Sequence, residues 1–231
     1  MSGPRRHFIV AAGGTGGHMV PAHVLAEELR ARGHGVSLIT DSRGLKIPGL
    51  FEGVDRHVIP AAPLGGNPVA WLKNLVTIWR GRSASKKLYE AVSPAAVIGF
   101  GGYPTYPAML AAFATKVPTI IHEQNAVLGR VNRLLAGRVD AIATAYGEVA
   151  RLKPAHRDKV ELVGNPVRTE IVAFRDAGFP AFPPDGIFRL LVIGGSQGAS
   201  VLSDVVPAAL EMLPAALRYR CQVVQQCRAE D

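Results

Sequence analysis

The chain has 231 residues, of which 48% are hydrophobic, 19% are charged and two are cysteine, which excludes a disordered chain and a disulfide-stapled secreted scaffold. Its longest apolar runs are far shorter than the roughly 20 residues of a membrane-spanning helix, and the run after the first arginines is too short for a signal peptide, so we expect a cytoplasmic protein. The formal net charge of +8 predicts an anionic partner, but dispersed basic residues and the lack of a nucleic-acid-binding motif argue against nucleic acid.

Short β-branched runs alternate with helical segments and glycine-rich turns, a pattern typical of a parallel α/β sheet. The predicted strands of the first part are His7–Ala12, Gly35–Thr40, Arg56–Ile59, Ala95–Phe100, Val117–His122, Val139–Thr144 and Val160–Val163. The predicted helices are Pro21–Arg32, Val69–Val92, Thr105–Thr115 and Leu128–Ala136. We interpret residues 1–165 as one doubly wound, Rossmann-like domain, whose ligands bind at the carboxyl ends of the strands.

A proline-rich stretch inside residues 166–186 predicts a linker, after which the same construction begins again. FIVAAGGTGGH near the start and LLVIGGSQGAS near the end both read as strand, glycine loop and helix, which predicts two Rossmann-like halves. The elements predicted after the linker are a strand Phe188–Ile193, a helix Ser203–Leu213 and a strand Tyr219–Gln225. One βαβ unit cannot bury both faces of a parallel sheet, so residues 187–231 either pack on the first domain or form an incomplete domain of a longer protein.

The glycine-rich turn between the first strand and the first helix is the first candidate binding site. It runs from Gly13 to Gly17 and is followed by His18. Glycines let a ligand approach the backbone closely, and a helix N-terminus attracts anions, so a phosphate or a developing oxyanion fits here. The alternative is a tight turn that needs glycine only for its backbone angles. Asp41 ends the second strand where a ribose-binding acid would lie, which keeps an NAD-dependent oxidoreductase as a rival, although the full dinucleotide fingerprint is absent.

Further polar clusters follow the strands of the first domain. Gly102 and Tyr103 follow one strand, and Glu123 and Asn125 follow the next. Because the carboxyl ends of parallel strands share one sheet edge, one cleft could collect these side chains with His18. A histidine or a glutamate there can act as a general base, whereas an asparagine positions a ligand through hydrogen bonds. Each of these residues taken alone is more often structural than catalytic.

Five motifs occur along the chain in this order: GGTGGH, GFGGYPTYPA, IHEQNAVLGRVNR, GNPVR and GGSQGA. In identity, order and spacing they resemble the MurG family, the bacterial peptidoglycan transferases of glycosyltransferase family 28. The resemblance covers essentially the whole chain and implies the GT-B fold of two Rossmann-like domains, the second of which is truncated here. It implies inverting transfer of N-acetylglucosamine from UDP-N-acetylglucosamine (UDP-GlcNAc) to the MurNAc 4-hydroxyl of undecaprenyl-linked lipid I, which gives lipid II for peptidoglycan synthesis and hence for cell shape and division.

The resemblance also implies roles for individual residues. The positions that match UDP-GlcNAc contacts are Thr15, Gly16, Gly17, Asn125, Arg168 and Ser196. The loops that receive the acceptor or its phosphate contain Gly14, Gly102 and Tyr103. His18 and Glu123 match acceptor-side positions from which the catalytic base is drawn, and we favour His18 as the base or as the partner of the base. No metal or other cofactor is implied, and the sequence contains no Asp-x-Asp pair.

The predicted helix Val69–Val92 carries aromatic and aliphatic residues beside a basic collar, the composition of an interfacial helix. We assign Trp71, Leu75, Ile78 and Trp79 to membrane contact; the alternative is a broad buried helix with a solvated polar face. The resemblance implies a peripheral enzyme at the cytoplasmic face of the plasma membrane. Its partners would be UDP-GlcNAc, lipid I, an anionic membrane surface and other cell-wall synthesis proteins. A lipid-binding or partner-binding fragment without turnover remains an alternative function.

Overall fold

A computed structural model of the chain describes residues 4–63, 67–179, 181, 186–195 and 199–228. The chain divides into two compact units, Met1–Val172 and Ala173–Asp231. The division falls inside the segment 166–186 that the sequence predicts as a linker, and the predicted domain limits themselves stay a prediction.

The first unit is built on a seven-stranded parallel sheet with the strand order β3-β2-β1-β4-β5-β6-β7. The strands are β1 (His7–Ala12), β2 (Gly35–Thr40), β3 (Asp55–Val58), β4 (Ala96–Gly101), β5 (Thr119–Glu123), β6 (Ala141–Thr144) and β7 (Val160–Leu162). The chain winds outward from β1 to β3, crosses back to β4 and then winds outward on the other side. This is the predicted doubly wound topology, and its switch point lies between β1 and β4.

Helices cover this sheet. Those of the first unit are α1 (Gly16–Ala31), α2 (Pro68–Val92), α3 (Thr105–Thr115), α4 (Arg130–Leu135) and the short α5 (Thr169–Val172). Alternate residues of β1 enter two separate apolar clusters: Ile9 and Ala11 lie in one, and Val10 and Ala12 lie in the other. Since successive strand residues point to opposite faces, β1 is the hydrophobic centre of the unit, with apolar packing on both sides.

The start of α1 differs from its prediction. Proline favours the first turn of a helix, so the sequence places the start at Pro21. The helix in fact begins at Gly16, and Pro21 lies inside it. Proline has no N–H and gives up one backbone bond at this point. The glycine turn and the helix are therefore continuous, with His18 in the first turn.

Short elements were not predicted. They are a 3₁₀ turn at Gly44–Lys46, another at Pro154–Lys159, α5, and α7 in the second unit. Such single turns are too short to show a hydrophobic period, which is the signal on which sequence prediction depends.

The second unit contains the predicted βαβ arrangement. Strand β8 (Phe188–Val192) pairs in parallel with β9 (Cys221–Gln225). Between them lie α6 (Ser200–Glu211) and α7 (Ala215–Arg218) in place of the single predicted helix. Pro207 lies inside α6, and Pro214 directly precedes α7. The helix boundaries in this segment therefore differ from those of the single helix that the apolar pattern predicts.

Helix α2 has a buried stripe along its second half. Ile78, Gly81, Ser85 and Tyr89 recur at helical spacing and are buried. A Cβ on Gly81 would lie 2.2 Å from the carbonyl oxygen of Pro60, so only glycine lets the helix approach this closely. The Tyr89 hydroxyl donates a 3.0 Å hydrogen bond to the Ala108 carbonyl of α3. Of the helices described, none combines the length and the apolarity needed to cross a membrane.

Candidate functional site

A pocket of about 320 Å³ opens at the switch point of the sheet, beyond the carboxyl ends of β1, β4 and β5. It is lined by Gly13, Gly14, Thr15, His18, Arg43, Gly101, Gly102, Tyr103, Glu123, Asn125, Gly129, Arg130, Val131 and Asn132. Loops that follow β1, β2, β4 and β5 therefore meet in one cleft, at the position where open α/β sheets bind their ligands.

Two glycine turns contact each other at the pocket floor. Gly102 has a φ of +81°, and a Cβ there would lie 2.4 Å from the Gly13 carbonyl oxygen. A Cβ on Gly13 would lie 2.4 Å from the Pro104 ring, and Gly14 has a φ of +88°. Packing and backbone angles thus account for these three glycines.

The remaining glycines of the first turn have no such packing requirement. A Cβ on Gly16 would meet nothing within 4 Å, and one on Gly17 would make only an ordinary contact with the Thr15 hydroxyl. Thr15 is the N-cap residue of α1, yet its side chain makes no capping hydrogen bond. The start of this 16-residue helix therefore presents backbone N–H groups and a free hydroxyl, an arrangement suited to an anionic ligand.

His18 borders the pocket from the first turn of α1. Its ring packs on Gly101, where a Cβ would lie 2.9 Å from His18 Cε1. His18 Nδ1 is 3.1 Å from Gln124 Oε1. Within the described chain no hydrogen-bond partner is found for its Nε2. One ring nitrogen is thus held by the protein, and the other is free to exchange a proton with a ligand.

Glu123 is almost fully buried, and its carboxylate accepts four hydrogen bonds. Oε1 accepts from the backbone N–H of Asn125 (3.1 Å) and from its Nδ2 (3.0 Å). Oε2 accepts from the Gly129 N–H (2.8 Å) and from Asn132 Nδ2 (2.9 Å). These donors occupy the carboxylate fully, so its geometry supports holding the loop after β5 rather than receiving a proton.

Asp41 holds the other side of the pocket. Its Oδ1 accepts from the Gly44 N–H at 2.9 Å and from the Gly14 N–H at 3.4 Å, and its Oδ2 accepts from Arg43 Nη2 at 2.7 Å. Burial would raise the pKa of Asp41, but these hydrogen bonds and the Arg43 charge outweigh it and lower the pKa. Asp41 is thus engaged by protein groups, which removes the support for a ribose-binding acid and for the NAD-dependent alternative.

Arg43 also lies 5.3 Å from the centre of the Tyr103 ring, a cation–π distance. Its guanidinium therefore connects the loop after β2 with the loop after β4 and lines the pocket with positive charge.

The structure brings together most of the predicted site residues. The pocket collects Gly14, Thr15, His18, Gly102, Tyr103, Glu123 and Asn125. Gly16 and Gly17 lie beside it in the first turn of α1 without lining it. Arg168 is exposed just before α5 and does not line the pocket, and Ser196 lies outside the described residues.

Several pocket residues carry no role in the sequence prediction. They are Arg43, Gln124 beside the pocket, Arg130 and Asn132. Three of them stand inside the quoted motif IHEQNAVLGRVNR, so the signal was present. Arg43 lies two residues after Asp41. The only sequence signal that points to Arg43 is a basic side chain in the loop after a predicted strand.

The outer face of α2 exposes a contiguous apolar surface. Trp71, Leu72, Leu75, Val76 and Trp79 are all exposed, and Trp79 is 63% exposed. Leu75, Val76 and Trp79 also border an apolar groove with Leu110 of α3. The assignment of Ile78 to membrane contact is wrong: Ile78 is only 5% exposed and forms part of the buried stripe, because this side of α2 packs against α3.

No group of three or more His, Cys, Asp or Glu side chains among the described residues could hold a metal ion. The pocket instead has cationic side chains at Arg43 and Arg130 and backbone hydrogen-bond donors at the start of α1.

Comparison with known proteins agrees with this geometry. Residues 8–144 match the Glycosyltransferase family 28 N-terminal domain, which includes β1 to β6 and every loop of the pocket. The chain belongs to glycosyltransferase family 28. The resemblance inferred from the five motifs is thereby confirmed at the level of the family.

Family 28 relatives match over the whole chain. Proteins named UDP-N-acetylglucosamine--N-acetylmuramyl-(pentapeptide) pyrophosphoryl-undecaprenol N-acetylglucosamine transferase are 61% identical over 231 residues in Erythrobacter litoralis and 62% identical over 226 residues in Novosphingobium aromaticivorans. They cover 100% and 98% of this chain. The chain spans 58% of the length of each of these two relatives.

A solved crystal structure shares the fold. The crystal structure of Acinetobacter baumannii MurG matches with a TM-score of 0.72 and 25% sequence identity, over 99% of this chain and 69% of that one. The predicted α/β fold class of the GT-B glycosyltransferases is thereby confirmed.

Proposed function

We propose that this family 28 protein is an inverting N-acetylglucosaminyltransferase that acts on UDP-GlcNAc and the MurNAc 4-hydroxyl of lipid I, and so forms lipid II. The observation that carries the proposal is the pocket at the switch point, where an unengaged His18 Nε2 lies next to an uncapped helix N-terminus. The names of the relatives give the substrates.

In the proposed reaction His18 Nε2 takes the proton from the acceptor hydroxyl. The acceptor oxygen attacks the anomeric carbon from the face opposite UDP, a new C–O bond forms, and the bond to UDP breaks with its electron pair on the leaving phosphate. Inversion follows from this single in-line displacement. Thr15 and the amides of Gly16 and Gly17 supply donors for phosphate oxygens, and Arg43 adds positive charge beside them.

Glu123 takes a positioning role in this proposal. Its four hydrogen bonds hold Asn125 and the start of α4 at the pocket, so we assign the base to His18 alone. Arg168 and Ser196 remain proposed contacts of UDP-GlcNAc. We also propose that the reaction needs no metal, since amides and guanidinium groups can stabilise the leaving diphosphate.

The test is a transfer assay with UDP-GlcNAc and a lipid I analogue. It compares this chain, a protein extended to the length of the relatives, and the extended His18→Gln variant. We expect transfer by the extended protein and a loss of about 10²- to 10⁴-fold in His18→Gln, the usual contribution of a general base. Full activity in EDTA is expected as well. No transfer by the extended protein would instead favour a lipid-binding or partner-binding role without turnover.

We further propose that the exposed surface of α2 docks on an anionic membrane at the cytoplasmic face. Trp71, Leu75 and Trp79 would enter the interface, and the collar of Lys73, Arg80, Arg82, Lys86 and Lys87 would meet acidic headgroups. An acceptor that is anchored in lipid needs such contact. Other cell-wall synthesis proteins remain proposed partners.

Vesicle sedimentation tests the membrane proposal. Trp71→Glu and Trp79→Glu should each weaken binding to vesicles rich in anionic lipid by roughly tenfold, because each removes an interfacial aromatic side chain and adds a repelled charge. Leu134→Glu is the matched control, since Leu134 is 55% exposed on a different helix, α4, and does not line the groove beside α2. Equal binding by all three variants and the parent would overturn the proposal.

A further inference from the structure

Four groups form a chain of hydrogen bonds that leads away from the pocket. His18 Nδ1 is 3.1 Å from Gln124 Oε1, and Gln124 Nε2 is 2.9 Å from His122 Nδ1. His122 Nε2 is 3.0 Å from the carbonyl oxygen of Gly164. Only His18 of these residues lines the pocket, so the other groups act on a ligand through His18.

The direction of each hydrogen bond follows from the far end of this chain. The Gly164 carbonyl can only accept, so His122 carries its proton on Nε2. Burial lowers the pKa of His122, against smaller opposing effects of the Gly164 hydrogen bond and the Glu123 charge, so the ring is neutral at pH 7. Its Nδ1 is therefore an acceptor.

The orientation of the Gln124 amide is fixed next. Its Nε2 contacts two acceptors, His122 Nδ1 and, at 3.1 Å, the backbone carbonyl of His122. Neither can donate, so the NH₂ group must face them and Oε1 must face His18. Because Oε1 only accepts, His18 donates from Nδ1. A neutral His18 with its proton on Nδ1 has its lone pair on Nε2.

We propose that Gln124 is a positioning residue that holds His18 in the Nδ1–H tautomer, so that Nε2 is the basic nitrogen at the pocket. This inference rests on the proposed function for its purpose, because a general base must present an unprotonated nitrogen to the acceptor hydroxyl. The ring is held on a second side by Gly101, on which it packs.

A neutral amide suits this task better than a carboxylate. A carboxylate at the same place would also select the Nδ1–H tautomer, but its charge would favour the cationic ring, which has no free nitrogen to accept a proton. The other charged or titratable groups around the pocket are Arg43, Tyr103, Glu123 and Arg130. Gln124 therefore selects the Nδ1–H tautomer of His18 without adding a charge to the pocket.

The experiment is long-range ¹⁵N–¹H NMR of the histidine rings in the 231-residue chain, which reports the tautomer without any need for turnover. In the parent we expect the neutral form of His18 to be mainly Nδ1–H. Gln124→Met keeps the size of the side chain but removes the acceptor, so the Nδ1–H population of His18 should fall. Gln124→Glu restores an acceptor and should restore that population. Gln226→Met, an exposed change in the second unit, is the matched control.

Two outcomes would overturn the inference: a parent His18 that is mainly Nε2–H, or an unchanged tautomer in Gln124→Met. The first needs no variant, so a variant that fails to fold leaves the test intact. In the extended protein, Gln124→Met should lower kcat at least about tenfold with little change in the KM for UDP-GlcNAc. The expected tautomers without any transfer would refute the proposed function alone, whereas transfer with an unchanged tautomer would refute the role of Gln124 alone.

Discussion

Two carboxylates hold the two loops on either side of the pocket, and they do so in different ways. Glu123 is 1% exposed, and the hydrogen bonds that its carboxylate accepts from the described residues come from the neutral donors of Asn125, Gly129 and Asn132. Asp41 is more exposed, accepts a long hydrogen bond from Gly14, and shares its charge with an Arg43 that is itself exposed.

The two carboxylates therefore hold loops of different kinds: the loop after β5 forms a wall of the pocket, and the turn after β1 can bind a ligand. The Glu123 carboxylate is occupied by donors of the protein, which hold the loop after β5 against the start of α4. The turn after β1 keeps a free hydroxyl at Thr15 and open amides in the first turn of α1. A ligand can therefore gain hydrogen bonds at the start of α1, and substitutions on the two sides should have different consequences.

Glu123→Ala should have the largest effect on stability. It leaves four donors at a buried position without their acceptor, and we expect the free energy of unfolding to fall by about 4 kcal/mol. Urea unfolding followed by circular dichroism measures this loss. Glu161→Ala on the exposed edge strand β7 is the control and should change the value by less than about 0.5 kcal/mol. A small loss in Glu123→Ala would show that the loop does not depend on this carboxylate.

Gly102→Ala should rank second. The new Cβ meets the Gly13 carbonyl oxygen at 2.4 Å in a backbone region that alanine rarely adopts, which we expect to cost about 3 kcal/mol. Gly16→Ala is the matched control, because a Cβ there meets nothing within 4 Å and the backbone of residue 16 is already helical. Thermal unfolding distinguishes the two, and equal melting temperatures would contradict the close approach of the two turns.

Asp41→Asn should be milder. The amide oxygen can still accept from the Gly44 N–H, so the loss is mainly the charge pair with Arg43, whose own side chain is exposed, and we expect about 1 kcal/mol. Asp158→Asn, at an exposed position, provides the reference in the same urea assay. A loss as large as that of Glu123→Ala would mean that the two carboxylates hold their loops equally strongly.

The smallest expected effect is a pH dependence from His122. Burial lowers its pKa in the folded state, so below the ordinary histidine pKa of about 6.5 the unfolded chain binds more protons than the folded one. Stability is therefore full above that pH and declines as the pH falls below it. His122→Gln should flatten the decline between pH 7.5 and 5.5, and the lowered pKa of His7 should leave a remainder. An unchanged slope in the variant would show that His122 does not contribute.

The sheet and the location of the pocket were predictable from the sequence. β1, β2 and β4 are apolar runs buried on both faces, and the glycine motifs mark the turns at their carboxyl ends. Strand ends of a parallel sheet meet at one edge, which is why His18, Tyr103 and Asn125 could be grouped without a structure.

Roles that depend on tertiary neighbours were not predictable. The sequence shows a carboxylate at Glu123 but not that four donors occupy it. On α2 two apolar stripes have equivalent spacing, and only packing against the body of the unit decides that Ile78 faces inward and Trp79 outward. The start of α1 was misplaced because Pro21 is a strong local signal, which the packing of the longer helix overrides.

The close contact at Gly81 has a consequence for the geometry of the proposed reaction. Gly81 lies against Pro107 of α3, and Thr105, at the start of α3, donates hydrogen bonds to the carbonyls of Ala11 and Gly101 beside the pocket. Through these contacts α2 and α3 connect the proposed membrane surface to the wall of the pocket, and so set the distance between the bilayer and the proposed reacting groups. We expect acceptors whose sugar lies at that distance from the lipid to react fastest, so lengthening the link between lipid and sugar should lower the rate even when the sugar is unchanged.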